Sequence, residues 1–195
     1  HRDVLRLAHP ARKVTSGNPV VSVSEDHAAI FDWISGRKTD GVWPNELKIL
    51  AGFEMAQKAA TKRDAVNIIR DYSLPREAVP TEFLVEPEVW QALLDIDMPY
   101  TALMRNLANM TRIGLLTGTS AATKTVIAKL TNEEAIKKAR VHPINILFAL
   151  KTYQSGVGFR GGNSWTPVQR IVDALNDAFY ASFKFVEPSG KRILL

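Results

Sequence analysis

Cysteine is absent from these 195 residues. That removes disulfides, thiolate metal ligands and cysteine nucleophiles together, and it makes a reducing compartment, the cytoplasm, the natural expectation. Histidine is scarce, with four in the chain, and they lie too far apart in sequence to suggest zinc ligation. No H-E-x-x-H, G-x-S-x-G or paired-carboxylate metal motif occurs, so neither hydrolase nor nuclease chemistry has support and no catalytic residue is assigned. No apolar run approaches the roughly 20 residues that a membrane span needs. Alternating strand-like patterns are missing too, apart from Lys191 to Leu195 at the very end.

What the chain does have is helical spacing. Tyr100, Leu103, Met104, Leu107 and Met110 fall on one face, and Val168, Ile171, Val172, Leu175, Phe179, Phe183 and Val186 do the same over five turns. Pro44, Pro87, Pro99, Pro143 and Pro167 mark helix starts, where a first-turn amide has no partner to lose. Thr131 with Glu134 has the spacing of a capping box. The pattern predicts helices near 2–9, 24–36, 44–60, 62–72, 87–95, 99–112, 121–130, 132–140, 143–154 and 167–186. The ninth has no strongly polar face from Ile144 to Leu150, so it is expected to be buried. Trp33, Trp90, Phe148, Phe179 and Phe183 occupy core-like positions, and packing is their default role. The fold class is all-α, with helices packed pairwise either as a HEAT-like stack or as a compact bundle. A lone strand at 191–195 cannot satisfy its own backbone groups, so the natural protein is expected to continue past Leu195.

Charge is uneven although the net value is only +5. From Asp71 to Asp97 seven acids accompany one base, Arg76, whereas from Thr111 to Arg170 nine lysines or arginines accompany two acids. The first thirteen residues carry Arg2, Arg6, Arg12 and Lys13 beside His1 and His9. Segregated positive charge can bind polyphosphate or simply form a solvated face, and charge alone leaves both open.

The segment Gly156 to Gly161 matches G-x-G-x-x-G, but a predicted helix and not a strand precedes it, so a dinucleotide site is excluded. A flexible loop with Arg160 at its tip fits better, and Phe159 and Trp165 beside it are the better candidates among the aromatics to stack on an unpaired base, although a structural role remains their default. The run Gly114 to Ser120 lacks the lysine of a phosphate loop and reads as a mobile connection. His142 before Pro143 is expected to cap or pack at a helix junction. His9 either caps the end of a short helix or, with Arg2 and Arg6 on the same face, presents donors to RNA.

Five stretches, in order, carry a family resemblance: VLRLAHP (Val4–Pro10), VWQALL (Val89–Leu94), MPYTALMRNLANMT (Met98–Thr111), KKARVHPINILFALKTYQSGVGFRG (Lys137–Gly161) and ALNDAFYASFKFVEPSGKRILL (Ala174–Leu195). Together they resemble the TROVE module of the Ro autoantigen family. The resemblance implies HEAT-like helical repeats forming part of a ring, with 1–190 belonging to the repeats and 191–195 opening the first strand of a von Willebrand factor A domain. It implies binding of Y RNA and of the ends of misfolded noncoding RNA, in RNA quality control, without enzymatic activity. A bacterial member would cooperate with an exoribonuclease. The family's D-x-S-x-S metal motif lies outside this sequence, so no metal or cofactor is assigned. His9 matches the family histidine implicated in Y RNA binding. The candidate RNA-binding set is Arg2, Arg6, His9, Lys13, Arg105, Lys138, Arg140 and Arg160, the last four of which could equally bridge helices. The alternative function is a helical scaffold that binds protein through the acidic stretch.

Overall fold

The computed structural model describes Ile30, Trp33, Ile34 and residues 47–158 and 162–186. Contacts divide the chain into two units, residues 1–74 and 75–195. The first contains α1 (Lys48–Ala56) and α2 (Lys62–Tyr72). A reciprocal cap starts α2: the Thr61 hydroxyl accepts from the Asp64 amide at 3.2 Å, and the Asp64 carboxylate accepts from the Thr61 amide at 3.1 Å. This cap holds Thr61 in extended conformation, φ −132° and ψ 157°. The helix expected over 44–60 ends earlier, at Ala56, and the chain turns through Gln57 and Lys58 before that cap. Gly52 lets the two helices touch, because a Cβ there would lie 2.5 Å from the Tyr72 Cβ. Trp33 packs edge-on against Phe53 and donates its indole N–H to Glu54 at 2.8 Å.

The second unit carries α3 (Pro87–Asp95), α4 (Tyr100–Arg112), α5 (Ala121–Leu130), α6 (Glu133–Ala139), α7 (Pro143–Ser155) and α8 (Gln169–Ser182). Short 3-10 turns at Arg76–Ala78, Thr81–Val85 and Phe183–Phe185 were not legible in the pattern. Among the described residues the fold is all-α, as expected, with one isolated antiparallel bridge, Val157 to Ser164. The apolar stripe of α4 explains its position: Tyr100, Leu103, Met104, Leu107 and Met110 are all buried. It packs on α5, α6 and α7, and α8 likewise packs on α5, α6 and, most extensively, α7. Trp90 is wholly buried, its indole N–H donating to the Leu84 carbonyl at 2.8 Å, which pins the 3-10 turn to α3.

Several expectations change. Asn132, not Thr131, caps α6: its side chain accepts from the Ala135 amide at 2.9 Å, while the Thr131 hydroxyl turns back to the Ile127 carbonyl. One residue of register decides this, because the cap must sit just outside the first turn. The 114–120 connection is tied down and not a loose link. Ser120 Oγ accepts from the Thr123 amide and donates to the Leu115 carbonyl, and buried Thr123 donates to the Thr117 carbonyl at 2.7 Å. The stripe of α8 is buried from Ile171 to Ala178 but runs out at Phe183, which is 53% exposed. The segments expected as a helix at 2–9 and a strand at 191–195 lie outside the described residues.

Candidate functional site

The largest departure is in α7. Ile146, Leu150 and Tyr153 face the core, but Ile144 is 45% exposed and Phe148 66% exposed. A helix that is apolar all round buries only as much of itself as it has neighbours to touch, and α4 and α8 cover one side. Composition read as burial was therefore wrong for this face. Phe148 borders a groove of about 440 Å³ between α4, α7 and the turn at Ala139–Val141.

Two arginines enter that groove from different elements. Arg105 projects from the exposed side of α4 and Arg140 from the turn after α6, with Thr101, Asn145 and Thr152 supplying polar groups. No carboxylate lines it, so the positive charge there is uncompensated by its walls. Arg140 sits in the left-handed region, φ 49° and ψ 41°, with its amide bonded to the Lys137 carbonyl. A side chain in this conformation costs on the order of 1 kcal/mol. The next two residues hold the turn in place: Val141 is buried, and His142 Nδ1 accepts from the Ile144 amide at 3.2 Å to cap α7. His142 thus has the capping role expected of it.

Tyr153 lies beneath the groove and is buried. Its phenol shares a 2.8 Å hydrogen bond with Thr111 and accepts from the Val168 amide at 3.2 Å. Because Thr111 donates its own hydrogen to the Leu107 carbonyl, the phenol is the donor to Thr111. Burial pushes the Tyr153 pKa up, opposed by the Val168 amide that donates to its oxygen, so the group stays protonated and able to donate. Trp165 stacks on Tyr153 with ring centroids 6.4 Å apart and gives its indole N–H to the Tyr153 carbonyl at 3.0 Å. Both its hydrogen-bonding capacity and one ring face are therefore used internally. On either side of residues 159–161 the chain is paired: Gly158 donates to the Asn163 carbonyl and Trp165 to the Gly156 carbonyl, both at 2.9 Å. Gly156 ends α7 with φ +70°.

A second groove, about 600 Å³, opens where the end of α4 meets the start of α8, with Arg112, Thr117, Gly118, Trp165 and Arg170 in its walls. Sequence reasoning passed over Arg112 and Arg170. The signal for Arg112 was present, seven residues after Arg105 and so on the same side of α4. Lys138 does not join Arg105 and Arg140; it borders a neighbouring groove with Tyr100, Lys129 and Glu134 that shares Thr101 and Ala139 with the first. Arg2, Arg6, His9, Lys13 and Arg160 lie outside the described residues, as does Phe159. Among the described residues no cluster of three or more potential metal ligands occurs, and no helix is long and apolar enough to cross a membrane.

Comparison with known proteins places this geometry. The TROVE domain family matches residues 43–156. RNA-binding protein RO60 of Deinococcus radiodurans is 37% identical over 198 residues, covering 99% of this chain and 34% of the relative. RNA-binding protein RO60 of Caenorhabditis elegans is 36% identical over 149 residues, covering 76% of this chain and 23% of the relative. The crystal structure of the Deinococcus radiodurans RO (RSR) protein superposes with a TM-score of 0.75 at 36% identity, over 96% of this chain and 36% of that one. The chain thus spans about a third or less of the length of these relatives.

Proposed function

The chain belongs to the TROVE domain family, and on that premise we propose that it is an RNA-binding part of a Ro-like ribonucleoprotein. The observation that carries this reading is the carboxylate-free groove in which Arg105, Arg140 and the exposed ring of Phe148 meet. Guanidinium groups suit phosphate, an exposed aromatic face suits an unpaired base, and the two together suit a single strand. The ligands are Y RNA and the ends of misfolded noncoding RNA, in cytoplasmic RNA quality control, with an exoribonuclease as partner of the whole protein. The role is binding and not catalysis. Residues 1–190 belong to a HEAT-like repeat array, and 191–195 begin a further, von Willebrand factor A-like domain.

Filter binding of the 195-residue chain to a structured Y-like RNA and to a free single strand, at about 50 and about 200 mM salt, tests this. Arg105→Ala with Arg140→Ala should weaken single-strand binding and flatten its salt dependence by about 1.4 in log–log slope, roughly 0.7 for each phosphate no longer neutralised. His9→Ala or Arg6→Ala should weaken the structured RNA more than the free strand, and equal losses would argue against a separate Y RNA site at His9. Salt-independent association, or none, would favour the protein-scaffold alternative.

A further inference from the structure

We propose that the groove between the end of α4 and the start of α8 is a second backbone site, where Arg112 and Arg170 hold phosphates of a single RNA strand that continues out of the first groove. This rests on the RNA-binding reading above. Three observations support it. First, neither arginine has a carboxylate partner among the described residues: Arg112 donates to the Asn109 side-chain oxygen at 2.7 Å, and Arg170 to the Gly118 carbonyl at 3.3 Å. Neutral acceptors orient a guanidinium without cancelling its charge, and each retains other N–H groups. Second, the groove has no acidic residue in its walls, and its rim is polar, with Thr117, Ser164 and Gln169 beside the arginines. Gly118 adds open space, since a Cβ there would meet nothing within 4 Å.

Third, the two grooves lie on one track. Arg105 and Arg112 are both exposed and seven residues apart on α4, which puts them about 10 Å apart along the helix axis and on the same side. Tyr153 lines the first groove while its phenol bonds Thr111 and Val168, which line the second. A strand following α4 therefore meets Arg105 and Arg140 and then Arg112 and Arg170. Trp165 contributes a wall, with one face of its ring already lying on Tyr153.

The test uses the 195-residue chain with oligoribonucleotides of about four and about twelve nucleotides, titrated across a salt series. Arg112→Ala with Arg170→Ala should flatten the twelve-nucleotide slope by about 1.4, two phosphates at roughly 0.7 each, and weaken the longer strand more than the shorter. The single change Arg112→Ala, which leaves the Arg170–Gly118 bond in place, should remove about half of that, and guards against loss of structure in the double variant. Lysine at both positions should largely keep the slope. Equal loss for the two lengths, an unchanged slope, or lysine failing as badly as alanine with a lowered melting temperature would overturn the second site. If Arg105→Ala with Arg140→Ala weakens binding while the Arg112 and Arg170 changes do not, this site fails alone. If the unaltered chain binds neither oligonucleotide, both readings fall.

Discussion

Helices α4 and α7 are each 13 residues long and pack against one another, yet they dispose of their apolar side chains in opposite ways. In α4 the apolar residues form one stripe and all of it is buried, with arginines on the other side. In α7 apolar residues go all round, and the surplus, Ile144 and Phe148, faces out, with Phe148 in the same groove as Arg105. Periodicity says which side a helix buries; total hydrophobicity says nothing about which side finds a neighbour. The groove exists because one helix is patterned and the other is not.

Truncating the two helices separates these roles. The largest effect should come from Leu107→Ala on the buried stripe of α4, costing about 2–5 kcal/mol in chemical denaturation. Phe148→Ala should leave stability within about 0.5 kcal/mol while weakening a single RNA strand by about 1–3 kcal/mol, with its salt slope unchanged. A large stability loss for Phe148→Ala would erase the contrast.

Each helix also buries one tyrosine phenol. Tyr100 on α4 donates to the Leu130 carbonyl at 2.9 Å, and Tyr153 on α7 bonds Thr111 and the Val168 amide. Burial raises both pKa values above the ordinary tyrosine value. The folded chain therefore keeps protons that the unfolded chain releases near pH 10, so stability is full below about pH 10 and falls as pH rises beyond it. Tyr153→Phe should cost on the order of 1 kcal/mol at neutral pH and, combined with Tyr100→Phe, flatten the alkaline limb of a pH–denaturation series. The smallest effect belongs to Arg140→Gly, which relieves the left-handed turn and should stabilise by a few tenths of a kcal/mol, up to about 1, while lowering RNA affinity. Stability gained with affinity retained would show that Arg140 is only a turn residue.

Most helix bounds were legible because caps and stripes are local: 62–72, 87–95 and 121–130 coincide with α2, α3 and α5. Errors arose where a tertiary neighbour or a single residue of register decided the outcome, as at Asn132 against Thr131 and at the exposed end of α8. In the site, Arg105 and Arg140 were singled out individually, but their meeting needs the left-handed turn after α6, which Arg in place of Gly or Asn conceals. Phe148 was assigned to the core because its apolar neighbours mimic one. Arg112 and Arg170 come together only in the groove that the end of α4 and the start of α8 share, which no sequence spacing encodes.

The Tyr153 oxygen touches a side chain at the end of α4 and a backbone amide at the start of α8 while its own ring anchors α7. Helix ends ordinarily fray, and their amides exchange with solvent through small local openings. Here lifting the phenol releases the Val168 amide and breaks its hydrogen bond to Thr111 at the same time. The start of α8 and the end of α4 should accordingly exchange hydrogen as one cooperative unit, so that both grooves stay shaped, or lose their shape, together.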